Sequence, residues 1–237
     1  MAQLAHAARD TWSSKWAFIL AAAASAVGLG NLWRFPYLAA KYGGGMFLLT
    51  YLVLVFTFGL SLLLVEIALG RKTRQSTIGA FKLFGKKYAF IGILASLVPF
   101  IITPYYCVIG GWVAKYVGAY FFDPATMIGD GGTYFSSFIT SSFESYIWLF
   151  IFMAIVFFVV SRGIKGGIEK ANLIMMPALI IMTVILVVYT LCQPGALDGA
   201  AYYLVPDFSA FSIELVVAAL GQMFFSLSIA MGIMVTY

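Results

Sequence analysis

The chain has 237 residues, of which 63% are apolar, 17% aromatic and only 10% charged. A water-soluble chain carries about 25% charged residues, so this one lacks the polar surface to dissolve and belongs in a membrane. Its net charge of +5 is therefore read by location along the chain rather than as an attraction for nucleic acid.

The runs between charges are Trp16–Trp33, Tyr42–Val65, Tyr88–Ala114, Ser145–Ser161, Ala171–Leu197 and Leu215–Tyr237. Each is near or above the roughly 17–25 residues that a helix needs to cross a bilayer. They predict one transmembrane domain over 1–237 with six spans, about 16–37, 46–70, 88–120, 145–161, 171–193 and 211–237. The first run exceeds the apolar length of a cleavable signal peptide and stays in the mature chain. Arg9 and Lys15 precede span one, Arg71, Lys72, Arg74, Lys82, Lys86 and Lys87 follow span two, and Arg162, Lys165 and Lys170 follow span four. The alternate loops hold Asp123, Asp130 and Glu144, then Asp198, Asp207 and Glu214. Basic loops stay on the cytoplasmic side, so both termini are expected in the cytoplasm of a multi-pass protein of the cell (inner) membrane.

Catalytic readings fail on residue supply. The single histidine is His6, in the N-terminal tail, which leaves no histidine for a triad or a metal-protease helix within the spans. Gly79 to Lys87 (GAFKLFGKK) is a poor match to a phosphate loop, with five residues between its glycines and no Ser or Thr after the lysine. The basic loop around it is read as a topology determinant and anionic-lipid contact. Cys107 and Cys192 have neither metal nor disulfide-framework spacing. No enzyme and no nucleic-acid partner is expected.

Spans one and six depart from uniform apolarity. Span one carries Gly28, Gly30 and Asn31 mid-membrane, and span six reads GQMFFSLSIAMG from Gly221 to Gly232. Freed backbone groups in hydrocarbon cost several kcal/mol, so such breaks persist only where they line a cavity or pack tightly. Close packing has its own support, since Ala22, Ala26 and Gly30 form a small-residue stripe spaced by four. Two interrupted helices in one chain point instead to a secondary-transporter site, where helix ends and free carbonyls face substrate and ion.

SAVGLGNLWRFPY (Ser25–Tyr37), KYGGGMF (Lys41–Phe47), VEIALGR (Val65–Arg71) and GQMFFSLSIAMG (Gly221–Gly232) resemble the neurotransmitter:sodium symporter family, particularly its bacterial amino-acid transporters. The resemblance covers the entire chain. It implies an all-α polytopic membrane protein comprising the first five-helix repeat plus the sixth helix of the inverted-repeat, leucine-transporter-like fold, with helices one and six broken. The C-terminal half of the family's twelve-helix pattern is expected to be absent from this chain.

The resemblance also implies roles. One sodium site would take the Ala26 carbonyl, the Asn31 side chain and the Ser226 hydroxyl, with the substrate carboxylate as a further ligand. Neutral oxygens of this kind suit a hard cation. A second would keep the carbonyls of Ala24 and Val27. Both sites would be partial, because their other ligands belong to later helices, and chloride dependence stays open. The substrate carboxylate would meet the Leu29 and Gly30 amides and the Tyr106 hydroxyl. Its ammonium would meet the carbonyls of Ala26, Phe225 and Ser226 and the Ser228 hydroxyl, with Ile102, Ile109, Phe225 and Met231 lining the side-chain pocket. Without the resemblance, Tyr106 reads as an interfacial or buried aromatic rather than a binding residue.

Gly28 stands where the family's biogenic-amine transporters carry an aspartate, which implies a ligand that brings its own carboxylate. Arg34 resembles an outer-gate arginine, though it also reads as a snorkelling cation. Glu66 is either an acid reaching the near surface or a buried carboxyl bonded to the broken helices. Arg9 and Trp12 resemble the family's inner-gate tail. The implied function is sodium-coupled symport of hydrophobic or aromatic amino acids into the cell, as the N-terminal half of such a transporter. The alternatives are a half-size protein working as a dimer or with a separate C-terminal half, and a non-transporting truncated or regulatory membrane protein. Expected partners are the amino acid, sodium and the lipid bilayer.

Overall fold

The computed structural model describes residues 12–28, 30–122 and 131–237, and among them the secondary structure is helical apart from one isolated bridge between Gly44 and Pro206. Ser14 starts α1 (Lys15–Ala26) by accepting the Ala17 N–H at 3.1 Å, satisfying one of the donors a helix start leaves free. Val27, in extended backbone, stops it. A π-turn over Gly30–Arg34 leads into α2 (Phe35–Lys41), which has Pro36 in its first turn. The two halves meet at a 49° bend.

Gly43 and Gly44 then reverse the chain with φ of 77° and 53°, a conformation that glycine adopts without strain. α3 (Gly45–Leu54), a π-turn at Val55–Gly59 and α4 (Leu60–Thr73) make one apolar rod of 29 residues. Next come α5 (Thr77–Lys82), capped by Ser76, and α6 (Ala89–Phe122), which contains Pro99 and Pro104. α7 (Gly131–Thr140) and α8 (Ser142–Ser161) follow, and a π-turn at Ile164–Ile168 opens α9 (Glu169–Leu191). The described chain ends with α10 (Ala196–Leu204), α11 (Ile213–Ser226) and α12 (Ile233–Thr236).

Four continuous helical stretches are long and apolar enough to cross a bilayer, at Gly45–Thr73, Lys86–Phe122, Ser142–Ser161 and Ile164–Leu191, and the bent pair at Lys15–Lys41 qualifies as a fifth. The stretch read as 211–237 is not one helix: α11 ends at Ser226 and helical structure resumes only at Ile233. α5, α7 and α10 are helices where the span pattern gave only connections.

The chain divides into two compact units. In one, formed from residues 12–96 and 169–237, α2, α3 and α11 bury Leu38, Ala39, Met46, Phe47, Leu215 and Ala219 together. Phe35 packs edge-on against Phe47 and Tyr51, with centroids 5.5 and 4.9 Å away. α1 packs on α9, and α12 on α4. Gly70 of α4 permits that last approach, since a Cβ there would lie 2.4 Å from the Val235 carbonyl oxygen. Before α11, Asp207 accepts from the Ser209 hydroxyl and amide at 2.7 and 2.9 Å, which holds its carboxyl below the usual carboxylate range.

In the other unit, described over 97–122 and 131–168, Gly110 and Gly111 of α6 lie against Phe152 and the Leu149 backbone of α8. Lys115 pairs with Glu144, and its ammonium sits 5.6 Å from the Tyr134 ring centroid and 5.9 Å from those of Phe138 and Trp148. α8 buries none of its residues in the described chain, and helix surfaces so apolar require lipid or further protein around them.

Candidate functional site: two broken helices in one unit

The site grows from the two interruptions. After Ala26 the α1 ladder stops, and the Asn31 N–H bonds the Gly28 carbonyl at 3.0 Å. The Asn31 side chain turns back, donating through Nδ2 to the Ala26 carbonyl at 2.7 Å. Its Oδ1 accepts from the Ser226 hydroxyl at 2.8 Å, and Ser226 in turn accepts from Gln222 Nε2 at 3.0 Å. Three of the residues assigned to the first sodium site thus form a continuous polar chain between α1 and α11. Ser226 is 4% exposed and Gln222 fully buried, with the Gln222 Oε1 atom left without a partner.

The second interruption is the more contorted. Leu227 to Gly232 leave the helix, and Ser228, Ala230 and Gly232 take φ of 51°, 63° and 69°. Left-handed backbone costs a non-glycine residue roughly 1–2 kcal/mol, so neighbouring contacts must hold it. The Ser228 hydroxyl donates to the Ser25 carbonyl at 2.6 Å, tying this break to α1. The Ala230 N–H donates to Glu66 Oε1 at 2.7 Å, tying it to α4. Glu66, half-buried on α4, thus touches the second break through Oε1.

Gly30 is buried against the Phe225 ring, whose Cε1 would lie 2.1 Å from a Cβ at that position. The Arg34 guanidinium sits over the same ring, 5.5 Å from its centroid. A Cβ at Gly28 would have nothing within 4 Å. Val27 is exposed, Ala24 lies in the last turns of α1, and Met231 is half-buried in the second break. Ile102, Tyr106 and Ile109 belong to the other unit, spaced along one face of α6, and only Ile109 of the three is buried. Leu29 and Arg9 lie outside the described residues.

Trp12 donates from Nε1 to the Tyr237 carbonyl at 3.1 Å, and the two rings meet edge-on at 5.2 Å. Ser13 donates its amide, at 3.2 Å, and its hydroxyl to the Glu169 carboxylate, which is 4% exposed. Sequence reasoning missed Ser13, Glu169, Gln222 and the Ser25 carbonyl. A polar side chain four residues before Ser226 shares its helix face, and that signal was available for Gln222.

The model of the Sodium:neurotransmitter symporter family matches residues 9–127 and 135–237. An uncharacterized sodium-dependent transporter of Methanocaldococcus jannaschii is 39% identical, over 97% of this chain and 49% of its own length. The uncharacterized sodium-dependent transporter YhdH of Bacillus subtilis is 35% identical, over 95% of this chain and 51% of its own. The crystal structure of MhsT in complex with L-phenylalanine superposes with a TM-score of 0.88 at 37% identity, covering 97% of this chain and 53% of that one. The chain spans about half the length of the curated relatives it matches.

Proposed function

The chain belongs to the sodium:neurotransmitter symporter family, and we propose that it supplies the two broken helices of a sodium-coupled symporter for hydrophobic or aromatic amino acids. The single observation that carries this reading is the polar chain from the Ala26 carbonyl through Asn31 to Ser226 and Gln222. It offers three neutral oxygens on two facing helix breaks, the donor set a sodium ion requires. The Ala26 carbonyl, which accepts from Asn31 Nδ2, keeps a second lone pair that a cation can use together with Asn31 Oδ1. The family's second, partial site rests on the Ala24 and Val27 carbonyls.

The substrate class follows from charge. The oxygens around Asn31 are neutral, and the open space at Gly28 holds no side-chain carboxylate, so the ligand brings the negative charge that completes the ion's shell. Gly30, at the start of the second half-helix, supplies an N–H of the kind that binds carboxylates. The MhsT complex with L-phenylalanine supports an aromatic ligand for this chain also. The family's remaining ligands for both sites belong to later helices than these. Basic loops after Arg71 and Arg162 support a multi-pass arrangement in the cell membrane with both ends cytoplasmic.

Competition binding to the full-length gene product tests this. Leucine and tryptophan should bind only with sodium, tryptamine should not compete, and Gly28→Asp should weaken amino-acid binding more than about a hundredfold by burying a second carboxylate. Equal binding of tryptamine and tryptophan to the unmodified protein refutes the reading.

A further inference from the structure

Between Arg71 and Tyr88 the chain carries six cations, Arg71, Lys72, Arg74, Lys82, Lys86 and Lys87, and no acid. All six are exposed, and among the described residues none forms an ion pair. Interleaved with them are exposed apolar residues: Leu83 and Phe84 are 65% and 55% exposed, and Tyr88 is exposed as well. Lys72, at the end of α4, lies 5.8 Å from the Phe84 ring centroid, and Lys87 lies 5.0 Å from that of Tyr88, so charge and ring share one surface. The segment is an ordered elbow. Thr77 and Ala80 are buried, the Thr77 hydroxyl donates to the Gly232 carbonyl at 3.2 Å, and Gly92 admits the Ile78 backbone close to α6.

A solvated loop has no use for Leu83 and Phe84 projecting beside three lysines, whereas a bilayer interface accepts both, the rings among acyl chains and the ammonium groups at phosphate level. We propose that this elbow is a docking surface for anionic phospholipid headgroups of the leaflet it borders, with Lys82, Lys86 and Lys87 on the phosphates and Leu83 and Phe84 inserted below them. This goes beyond the transport reading and does not depend on it.

The test is retention of phosphatidylglycerol against phosphatidylcholine by the full-length protein in mixed micelles, read by native mass spectrometry. Each lysine near an anionic surface contributes roughly fivefold to binding, so K82Q/K86Q/K87Q should reduce phosphatidylglycerol retention on the order of a hundredfold. R162Q/K165Q/K170Q, which removes the same charge elsewhere, should leave it unchanged. L83S/F84S keeps every cation and should lower retention about threefold. In the unmodified protein, raising salt from about 0.05 to about 0.5 M should abolish the preference, and glycerol phosphate should not compete. Equal retention in the parent and K82Q/K86Q/K87Q overturns the proposal. So does full competition by glycerol phosphate, which marks a soluble-anion site, or loss of the preference in both triple variants alike, which marks net charge alone.

Discussion

The two helix breaks solve one problem by different means. At the first, none of the described residues takes left-handed backbone and a side chain does the closing: Asn31 bonds back to Ala26, and Gly30 makes room for a ring that can rotate away. At the second, two residues bearing a Cβ sit in left-handed backbone, and atoms from α1 and α4 hold them there. The first break has a closing bond within its own segment besides the one to Ser226, whereas Ser228 and Ala230 of the second are held by bonds to other helices. Strain in the second therefore depends on contacts remote in sequence, and those are the contacts a conformational change can release.

Substitutions that crowd the two breaks should separate them. The largest effect is expected at Gly70→Ala, which crowds α12 just beyond the second break, because its Cβ would meet the carbonyl, carbonyl carbon and Cα of Val235, backbone that cannot rotate aside. A loss of about 3 kcal/mol is expected, read as a lower unfolding midpoint in detergent. At the first break Gly30→Ala meets only the Phe225 side chain, and about 2 kcal/mol is expected, partly restored by Phe225→Leu. Failure of Phe225→Leu to restore stability would place the crowding in the backbone and erase the contrast.

The smallest effect has the opposite sign. Ala230→Gly relieves a φ of 63° at the second break and should raise stability by about 0.5–1 kcal/mol after the added freedom of the unfolded chain is counted. Gly28→Ala at the first break, where φ is unexceptional and a Cβ meets open space, should bring no comparable gain from strain relief. A destabilised Ala230→Gly would mean that the second break is not strained.

How much of this was readable beforehand varies with the break. Gly28, Gly30 and Asn31 announce the first one, because glycine and a side-chain amide are the residues an interrupted membrane helix needs. The second was visible as small and polar composition from Gly221 to Gly232, yet nothing marked Ser228 and Ala230 as left-handed, since only tertiary contacts make that conformation tolerable. Glu66 could not be placed from its spacing to Arg71, because its partner Ala230 is 164 residues away. The helices α5 and α10, at six and nine residues, fall below the length at which periodicity is informative.

The hydrogen bonds joining the breaks also have a sense of travel. Gln222 donates to Ser226, Ser226 to Asn31, and Asn31 to Ala26, so every step points from α11 toward α1. A hydroxyl owns one proton, and that of Ser226 is committed forward. The direction of the Ser226 step is thus set by which face of the Gln222 amide meets the serine. Turning that amide over would present an acceptor to Ser226 and call its proton backward, leaving Asn31 Oδ1 unclaimed. The Asn31–Ala26 step stays fixed, since a carbonyl only accepts, so the orientation of a single buried amide selects where the Ser226 proton goes and nothing beyond it.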